Sequence, residues 1–148
     1  MRATQPSVAE TRLGAECRVN LLDENFPEDQ LPLLEKWRIR VRQIGHEVGC
    51  LGVKDPDIIP LLHRLRGVSF FTSDWEFFKP ALSHPSYCLV WLDVRADDAA
   101  FYLRRFLKHT RFSTQSKRMG LVARAHHDGV HFWERNRPGL QRMNWGEA

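Results

Sequence analysis

The chain has 148 residues, of which 43% are hydrophobic and 27% are charged. This size suits one folded domain with a hydrophobic core, and the composition excludes wholesale disorder. No apolar run approaches the roughly 20 residues that span a membrane, and the polar start lacks the apolar segment of a signal peptide, so we expect a cytoplasmic protein without membrane contacts. The three cysteines are too widely spaced for a disulfide framework or a zinc knuckle.

Charge is distributed unevenly along the chain. Residues 1–100 contain 12 Lys and Arg against 15 Asp and Glu, a net charge of −3. Residues 101–148 contain 10 against 3, a net charge of +7. This division is compatible with a metal site beside a surface that binds a polyanion. The alternative, that the basic residues only solvate a helix and a hairpin, stays open at this point.

The first part of the chain alternates strand and helix signals. Residues 1–17 lack periodicity and are predicted as a flexible N-terminal tail. Residues 18–23 form a short apolar run that ends in an acid, typical of a buried strand. A helix is predicted from Pro27, because proline suits a first helical turn and apolar residues then recur at helical spacing. Residues 39–44 alternate as a second strand does, and residues 45–54 form a glycine-containing loop.

The second helix has a clear start. Asp55 can cap it, Pro56 suits its first position, and Asp57 favours the positive end of the helix dipole. Apolar residues follow at helical spacing, and Gly67 ends the helix. As helix caps, Asp55 and Asp57 need no further function, so their capping role is an alternative to any chemical one.

Further strands follow this helix. Residues 68–72 are predicted as a third strand, with a short helix starting near Trp75, and residues 87–92 as a fourth strand. Asp97 and Asp98 are expected to cap another helix.

The last part of the chain reads as a hairpin and a tail. Residues 121–124 and 130–133 are predicted as two strands around a turn at Asp128-Gly129. The pair His126-His127 could bind a metal ion, but the turn explains it more simply. Residues 136–148 are predicted as a polar C-terminal tail.

Acidic residues follow the predicted strands. Alternating strands and helices predict an α/β fold with a parallel sheet, in which functional groups lie beyond the carboxyl ends of the strands. Asp23 ends the first strand, Asp55 follows the second and Asp74 follows the third, so all three can meet at one edge. Mg²⁺ and Mn²⁺ prefer such oxygen ligands, and pairs of these ions activate water in phosphodiester cleavage. Glu76 has solvation as its simpler alternative.

Four motifs carry a family resemblance. They are Leu21-Leu22-Asp23-Glu24-Asn25-x-Pro27, Gly45-His46-Glu47-Val48, Asp55-x-Asp57-Ile58 and Phe71-Thr72-Ser73-Asp74-x-Glu76-Phe77. In this order and spacing, the chain resembles the short PIN-like domain family, relatives of VapC-type toxin ribonucleases. The resemblance implies an α/β fold, namely a PIN-like three-layer α/β/α domain over residues 18–135 with a central, mostly parallel sheet. It also implies an acidic pocket that binds Mg²⁺ or Mn²⁺.

The resemblance also implies roles for individual residues. Asp23, Asp55 and Asp74 match the metal-binding acids and, with Glu76, the catalytic set, while Asp57 is an alternative to Asp55 as the middle ligand. The remaining motif positions match supporting residues of the pocket: Glu24, Asn25, Thr72 and Ser73.

Two functions from different classes are compatible with this sequence. The first is a Mg²⁺- or Mn²⁺-dependent endoribonuclease, the toxin of a toxin–antitoxin pair, with an antitoxin protein as partner. Its RNA backbone contacts would come from basic residues late in the chain: Arg104, Arg105, Lys108, Lys117 and Arg118. The second is a non-catalytic PIN-fold binding or regulatory module. The resemblance further implies a homodimer, for which Trp91, Phe101 and Phe106 are candidate surface residues, with an ordinary core position as the alternative.

Overall fold

The structure covers most of the predicted domain. A computed structural model describes residues 19–45 and 55–146, apart from the side chains of Asp55 and Pro56. The predicted N-terminal tail and most of the glycine-containing loop lie outside the described residues, and so does the His46-Glu47-Val48 part of the second motif.

Seven strands form one mixed sheet in the order β2-β1-β3-β4-β5-β6-β7. The strands are β1 (Asn20–Leu22), β2 (Val41–Gln43), β3 (Val68–Thr72), β4 (Tyr87–Leu92), β5 (Val122–His126), β6 (Gly129–Trp133) and β7 (Gln141–Asn144). Neighbours among β1 to β5 pair in parallel, whereas β6 is antiparallel to both β5 and β7. The α/β class is therefore confirmed, but the parallel arrangement applies only to β1–β5.

Helices connect the parallel strands. The α-helices are α1 (Leu31–Lys36), α2 (Asp55–Leu65), α3 (Ala99–Lys108) and α4 (Gln115–Arg118). Short 3-10 helices span Glu28–Gln30, Trp75–Phe77, Pro80–Leu82 and Ala96–Asp98. None of the helices within residues 19–45 and 55–146 is long and apolar enough to cross a membrane.

Both faces of the sheet carry a hydrophobic core. On one face, here the α3 face, Leu22 and Phe71 pack in one cluster with Leu103 and Phe106 of α3. On the other, the α2 face, Phe70 of β3 packs in a second cluster with residues of α2. Full burial of one such side chain contributes about 1.5–3 kcal/mol, so these two layers supply most of the driving force for folding.

The predicted strand bounds match the structure best for strands that are buried on both faces. All five residues of β3 are buried, and β4 is buried at every position except Trp91. Continuous apolar runs of this kind are typical of covered parallel strands, and the predicted bounds 68–72 and 87–92 are confirmed.

The C-terminal part of the sheet departs from the prediction. The predicted hairpin forms, with His126 paired to Gly129 around a turn at residues 127–128. Residues predicted as a C-terminal tail include β7, which pairs with β6 and extends the sheet by one antiparallel strand. Its residues are half-buried or exposed, so no apolar run marks β7 in the sequence.

Candidate metal site

The first acid of the site is held by the turn that follows β1. The Asp23 N–H donates to the Phe71 carbonyl oxygen at 3.0 Å, which continues the pairing of β1 with β3 by one residue. Asp23 Oδ1 accepts a hydrogen bond from the Asn25 N–H at 3.2 Å, and the Phe26 N–H donates to the Asp23 carbonyl at 3.0 Å. The Asp23-Glu24-Asn25 motif thus forms a tight turn that fixes the Asp23 carboxylate.

A buried hydroxyl links this acid to the segment after β3. Thr72 is 1% exposed, and its Oγ1 donates to Asp23 Oδ2 at 2.7 Å. The same oxygen accepts a hydrogen bond from the Asp74 N–H at 3.0 Å. One buried threonine therefore uses both its donor and its acceptor capacity to hold Asp23 and the backbone of Asp74 together.

Asp74 begins the 3-10 helix Trp75–Phe77. Its Oδ1 accepts a hydrogen bond from the Glu76 N–H at 2.9 Å, and its side chain is half-buried. Ser73 and Glu76 are exposed. The predicted Thr72-Ser73-Asp74 segment thus brings Thr72 and Asp74 to Asp23, while the Glu76 side chain faces solvent.

Gln43 belongs to this site, although the sequence did not predict it. Gln43, at the end of β2, is 8% exposed. Its Nε2 donates to the carbonyl oxygens of Asp23 and Glu24 at 3.2 and 3.3 Å, which fixes the turn from the neighbouring strand. The sequence signal for this role of Gln43 was a polar residue near the end of a predicted strand.

A small cavity opens beside Asp23, and Asp74 does not line it. Its volume is about 160 Å³, and Asp23, Asn25, Thr72 and Ser73 supply its polar lining. Apolar residues complete the wall: Phe26, Pro27, Leu92, Val94, Ala96 and Ala99. A polar end and an apolar wall suit a site that excludes bulk water from part of a bound ligand.

Of the two candidates for the middle acid, only the Asp57 side chain lies among the described residues. Asp55 begins α2, but its side chain lies outside the described residues, and Asp57 is exposed. Within the described part of the chain, no group of three or more His, Cys, Asp or Glu side chains could hold a metal ion. Mg²⁺ is commonly bound through only one or two carboxylates, with water and substrate phosphate completing its shell, so a site for this ion does not require a third acid.

The predicted basic residues of α3 lie on the surface. Arg104 lies 4.8 Å from the ring centre of Trp37, and Arg105 lies 5.0 Å from that of Trp145. Both arginines and Lys108 are exposed. These three cations can reach a ligand in solvent, although two of them already rest on aromatic rings.

Lys117 and Arg118 make contacts within the protein. Lys117 Nζ donates to the Thr110 carbonyl at 2.7 Å. Arg118 Nε donates to Ser69 Oγ at 2.9 Å, and its Nη1 donates to the Phe112 carbonyl at 2.7 Å. Ser69 precedes Thr72 by three residues, about 10 Å along the strand, so Arg118 is anchored away from the acidic pair.

Asp93 was not identified from the sequence either. It follows β4 as Asp23 follows β1, and its N–H donates to the Ala125 carbonyl at 2.8 Å. Its Oδ2 accepts from Arg124 Nε at 2.8 Å and lies 2.7 Å from Arg124 Nη2. An acid directly after a predicted strand was the signal, and the structure shows its charge paired with Arg124.

The candidate dimer residues differ in exposure. Phe106 is fully buried in the core of the α3 face, so the core alternative is correct for this residue. Trp91 is half-buried against Phe78, with ring centres 5.6 Å apart. Phe101 is 48% exposed.

Cys88 has no place in the chemistry of the site. It is fully buried in the core, and burial raises the pKa of its thiol to about 12. Such a thiol is protonated at neutral pH and inert as a nucleophile.

Comparison with protein-family models, characterised proteins and solved structures found no significant match to this chain.

Proposed function

We propose that the protein is a PIN-like, Mg²⁺- or Mn²⁺-dependent endoribonuclease whose site is built on Asp23 and Asp74. The observation that carries this proposal is the Thr72 hydroxyl, which donates to Asp23 Oδ2 at 2.7 Å and accepts from the Asp74 N–H at 3.0 Å. Parallel α/β sheets bind their ligands beyond the carboxyl ends of the strands, and both acids follow such ends.

The two acids retain the capacity to bind a cation. Asp23 accepts one hydrogen bond at each carboxylate oxygen, and Asp74 accepts one at Oδ1. Each oxygen of an ionised carboxylate has two lone pairs, so ligand positions remain on both side chains. When bound, a divalent ion would lower the pKa of a coordinated water and stabilise charge on the phosphate.

The residues around the two acids would orient and supplement them. Thr72 and Gln43 fix the Asp23 carboxylate and its backbone, as hydrogen-bonding partners of metal ligands commonly do. Asp55, with Asp57 as the alternative, would supply the middle ligand from the start of α2. Glu76 would hold a water molecule or a proton at the exposed side of the site.

The proposed ribonuclease has an expected biological role, and a binding module is the alternative function. By resemblance, a ribonuclease of this kind would act as a toxin held in check by an antitoxin protein. A non-catalytic binding module is the rival, favoured by the lack of a three-ligand metal group among the residues that the structure describes. Such a module would bind RNA or protein without cleaving RNA.

A cleavage assay with matched variants tests the activity. Single-stranded RNA is incubated with the wild type and the Asp23→Asn, Asp74→Asn and Asp97→Asn variants, with Mn²⁺ or with EDTA. Asp97 is exposed and 3.6 Å from Arg95, so its variant makes the same chemical change outside the site. We expect Mn²⁺-dependent cleavage by the wild type and Asp97→Asn only. Cleavage in EDTA, or equal cleavage by all variants, would contradict the proposal.

Thr72 is a positioning residue in this scheme. Thr72→Val keeps the side-chain volume but removes the hydroxyl, so it should raise the Mn²⁺ concentration needed for half-maximal cleavage by about 10- to 100-fold. Thr72→Ser restores the hydroxyl and should restore the metal dependence. A Val variant with an unchanged metal requirement would remove Thr72 from this role.

A further inference from the structure

One row of registered residues crosses the sheet from the acidic pair to the far edge. Thr72 pairs with Trp91, Trp91 with Arg124, Arg124 with His131, and His131 with Arg142. Residues directly opposite each other in neighbouring strands point to the same face. These five side chains, here called the cross-strand row, therefore project from one face of the sheet.

The cross-strand row lies on the α2 face. Trp91 packs on Phe78, and Trp133 packs on the same ring at 4.5 Å. Phe78 and Trp133 both contact the hydrophobic cluster of the α2 face. Helix α2 covers the part of this face formed by β1, β3 and β4.

Beyond β4, the same face is open at the level of Arg124, whereas Val122 of β5 remains buried in the cluster of the α2 face. A cleft of about 550 Å³ lies there, and every residue that lines it belongs to β5, β6, β7 or the turn between β5 and β6. Arg124, His126, His131 and Arg142 contribute to its lining. The outer half of the cross-strand row is thus accessible from solvent and forms the floor of a cleft.

The arginines of the row have donors available for an anion. Arg124 uses Nε and Nη2 on Asp93 and lies 3.2 Å from His131 Nδ1 through Nη1, so two of its five N–H groups make no hydrogen bond with a described residue. The Arg142 side chain is exposed and forms no hydrogen bond or ion pair within the described ranges 19–45 and 55–146. Planar guanidinium groups recognise phosphate through paired N–H donors.

The surroundings of the two cleft histidines, His126 and His131, shift their pKa values. Burial lowers the pKa of both His126 and His131 below the ordinary value of 6.5, and Arg124 lowers both further. Arg142 and His126 also repel a proton on His131, whereas Asp128 and Asp93 partly offset this effect at His126. Both rings are therefore mainly neutral at pH 7, and a bound phosphate would favour their protonation.

Aromatic side chains complete the surface. The Arg124 guanidinium lies 5.4 Å from the ring centre of Trp91. Trp75, next to Asp74, is 62% exposed and belongs to the 3-10 helix whose Phe77 packs on Phe70 of the α2 face. Aromatic rings and cations together are the usual components of a surface that stacks unpaired bases and holds their phosphates.

We propose that the open part of the cross-strand row, Arg124, His131 and Arg142, binds the sugar-phosphate backbone of a single-stranded RNA and leads it towards Asp23 and Asp74. This inference rests on the proposed ribonuclease function. Four inter-strand steps separate Thr72 from Arg142, roughly 19 Å at the usual strand spacing, so several nucleotides can lie along the row. Substrate contacts would then come from Arg124 and Arg142 on the α2 face, whereas the exposed cations of α3 belong to the helix on the opposite face of the sheet.

Binding is measured without cleavage. Fluorescence anisotropy follows a labelled oligouridine RNA of about 12 nucleotides as it binds the full chain in EDTA, over a salt series from about 50 to about 200 mM. The variants are Arg142→Glu, Arg142→Gln and, as a control, Arg64→Glu. Arg64 is exposed in the last turn of α2 and gives the same charge change outside the row. Circular dichroism confirms that each variant is folded.

We expect Arg142→Glu to weaken RNA binding about tenfold at low salt and to reduce the salt slope by about 0.7 to 1, because one phosphate contact is lost. Arg142→Gln should show a smaller loss of the same kind, and Arg64→Glu should stay within about twofold of the wild type. Equal losses in Arg142→Glu and Arg64→Glu, or no loss in either Arg142 variant, would overturn the row as the binding surface. Equal affinity for duplex RNA would overturn the single-strand assignment.

The experiments distinguish failure of the RNA-binding proposal from failure of the ribonuclease proposal. Mn²⁺-dependent cleavage by the wild type with no effect of Arg142 variants on binding would exclude the row but keep the ribonuclease. Loss of binding in the Arg142 variants, with no cleavage under any condition, would leave an RNA-binding face and exclude the ribonuclease.

Discussion

The α2 face of the sheet consists of a covered part and an open part. Under α2, β3 presents side chains such as Phe70, which is fully buried. Two strands further along the same face, β5 presents Arg124 and β6 presents His131 in an open cleft. One face of the sheet therefore supports both a hydrophobic core and a polar surface. The core extends along this face to Val122 of β5, and the polar surface begins at Arg124, two residues further along the same strand.

We expect the largest loss of stability from removing a ring at the centre of the α2-face cluster. Phe70→Ala removes a fully buried ring that lies 5.3 Å from Phe77 and should lower the free energy of unfolding by about 3–5 kcal/mol. Trp133→Ala removes a half-buried ring and should cost less than half as much, although tryptophan is larger. Urea unfolding of both variants measures this difference. Similar losses would mean that the edge of the α2-face cluster, where Trp133 packs, is as tightly packed as its centre.

The open part depends on one close backbone contact. A Cβ atom added at Gly129 would lie 1.9 Å from the Met143 carbonyl oxygen, so Gly129→Ala must push β6 and β7 apart. We expect a loss of about 1–3 kcal/mol in unfolding free energy, together with weaker RNA binding. Gly146→Ala is the control, because a Cβ there meets nothing within 4 Å. Unchanged stability of Gly129→Ala would show that β7 is not firmly paired.

Arg118 provides a contrast with Arg142. Arg118→Ala leaves the buried Ser69 hydroxyl and the Phe112 carbonyl without their donor, at a cost of about 1–3 kcal/mol in unfolding free energy. Lys108→Ala, at an exposed position, should stay within about 0.5 kcal/mol of the wild type. The salt slope of RNA binding should not change in Arg118→Ala. A reduced slope with unchanged stability would return Arg118 to the RNA-binding surface.

The smallest expected effect concerns pH. The folded state disfavours protonated His126 and His131, so the unfolded state binds more protons below the ordinary pKa of 6.5. Stability should therefore be greatest above that pH and should fall as the pH decreases through it. Thermal unfolding across this range should show a smaller decrease in His131→Asn than in the wild type. An identical decrease would indicate that other groups, such as His84 with its own lowered pKa, cause it.

Burial explains which strands the sequence predicted. The bounds of β3 and β4 follow from uninterrupted apolar runs, because both faces of these strands are covered. In β7, the residues are half-buried or exposed, and the strand forms through its backbone pairing with β6. A strand of that kind has no apolar pattern, so it was assigned to a tail.

The acids of the candidate site could be predicted because each follows an apolar run. Asp23 and Asp74 were placed in this way, and the Thr72 hydroxyl does connect them. Gln43 was missed because its contact with Asp23 spans 20 residues and depends on how β1 and β2 pair. The cross-strand row depends in the same way on the register of five strands, which no local pattern contains.

The proposed ribonuclease function requires that Asp23 and Asp74 bind a divalent ion. Isothermal titration of Mn²⁺ into the wild type, Asp23→Asn and Asp97→Asn tests it most directly, because asparagine keeps the side-chain size and removes the charge. We predict saturable binding by the wild type and Asp97→Asn, and affinity reduced by more than about tenfold in Asp23→Asn. Equal Mn²⁺ affinity in all three proteins, or no binding by the wild type, would contradict the claim.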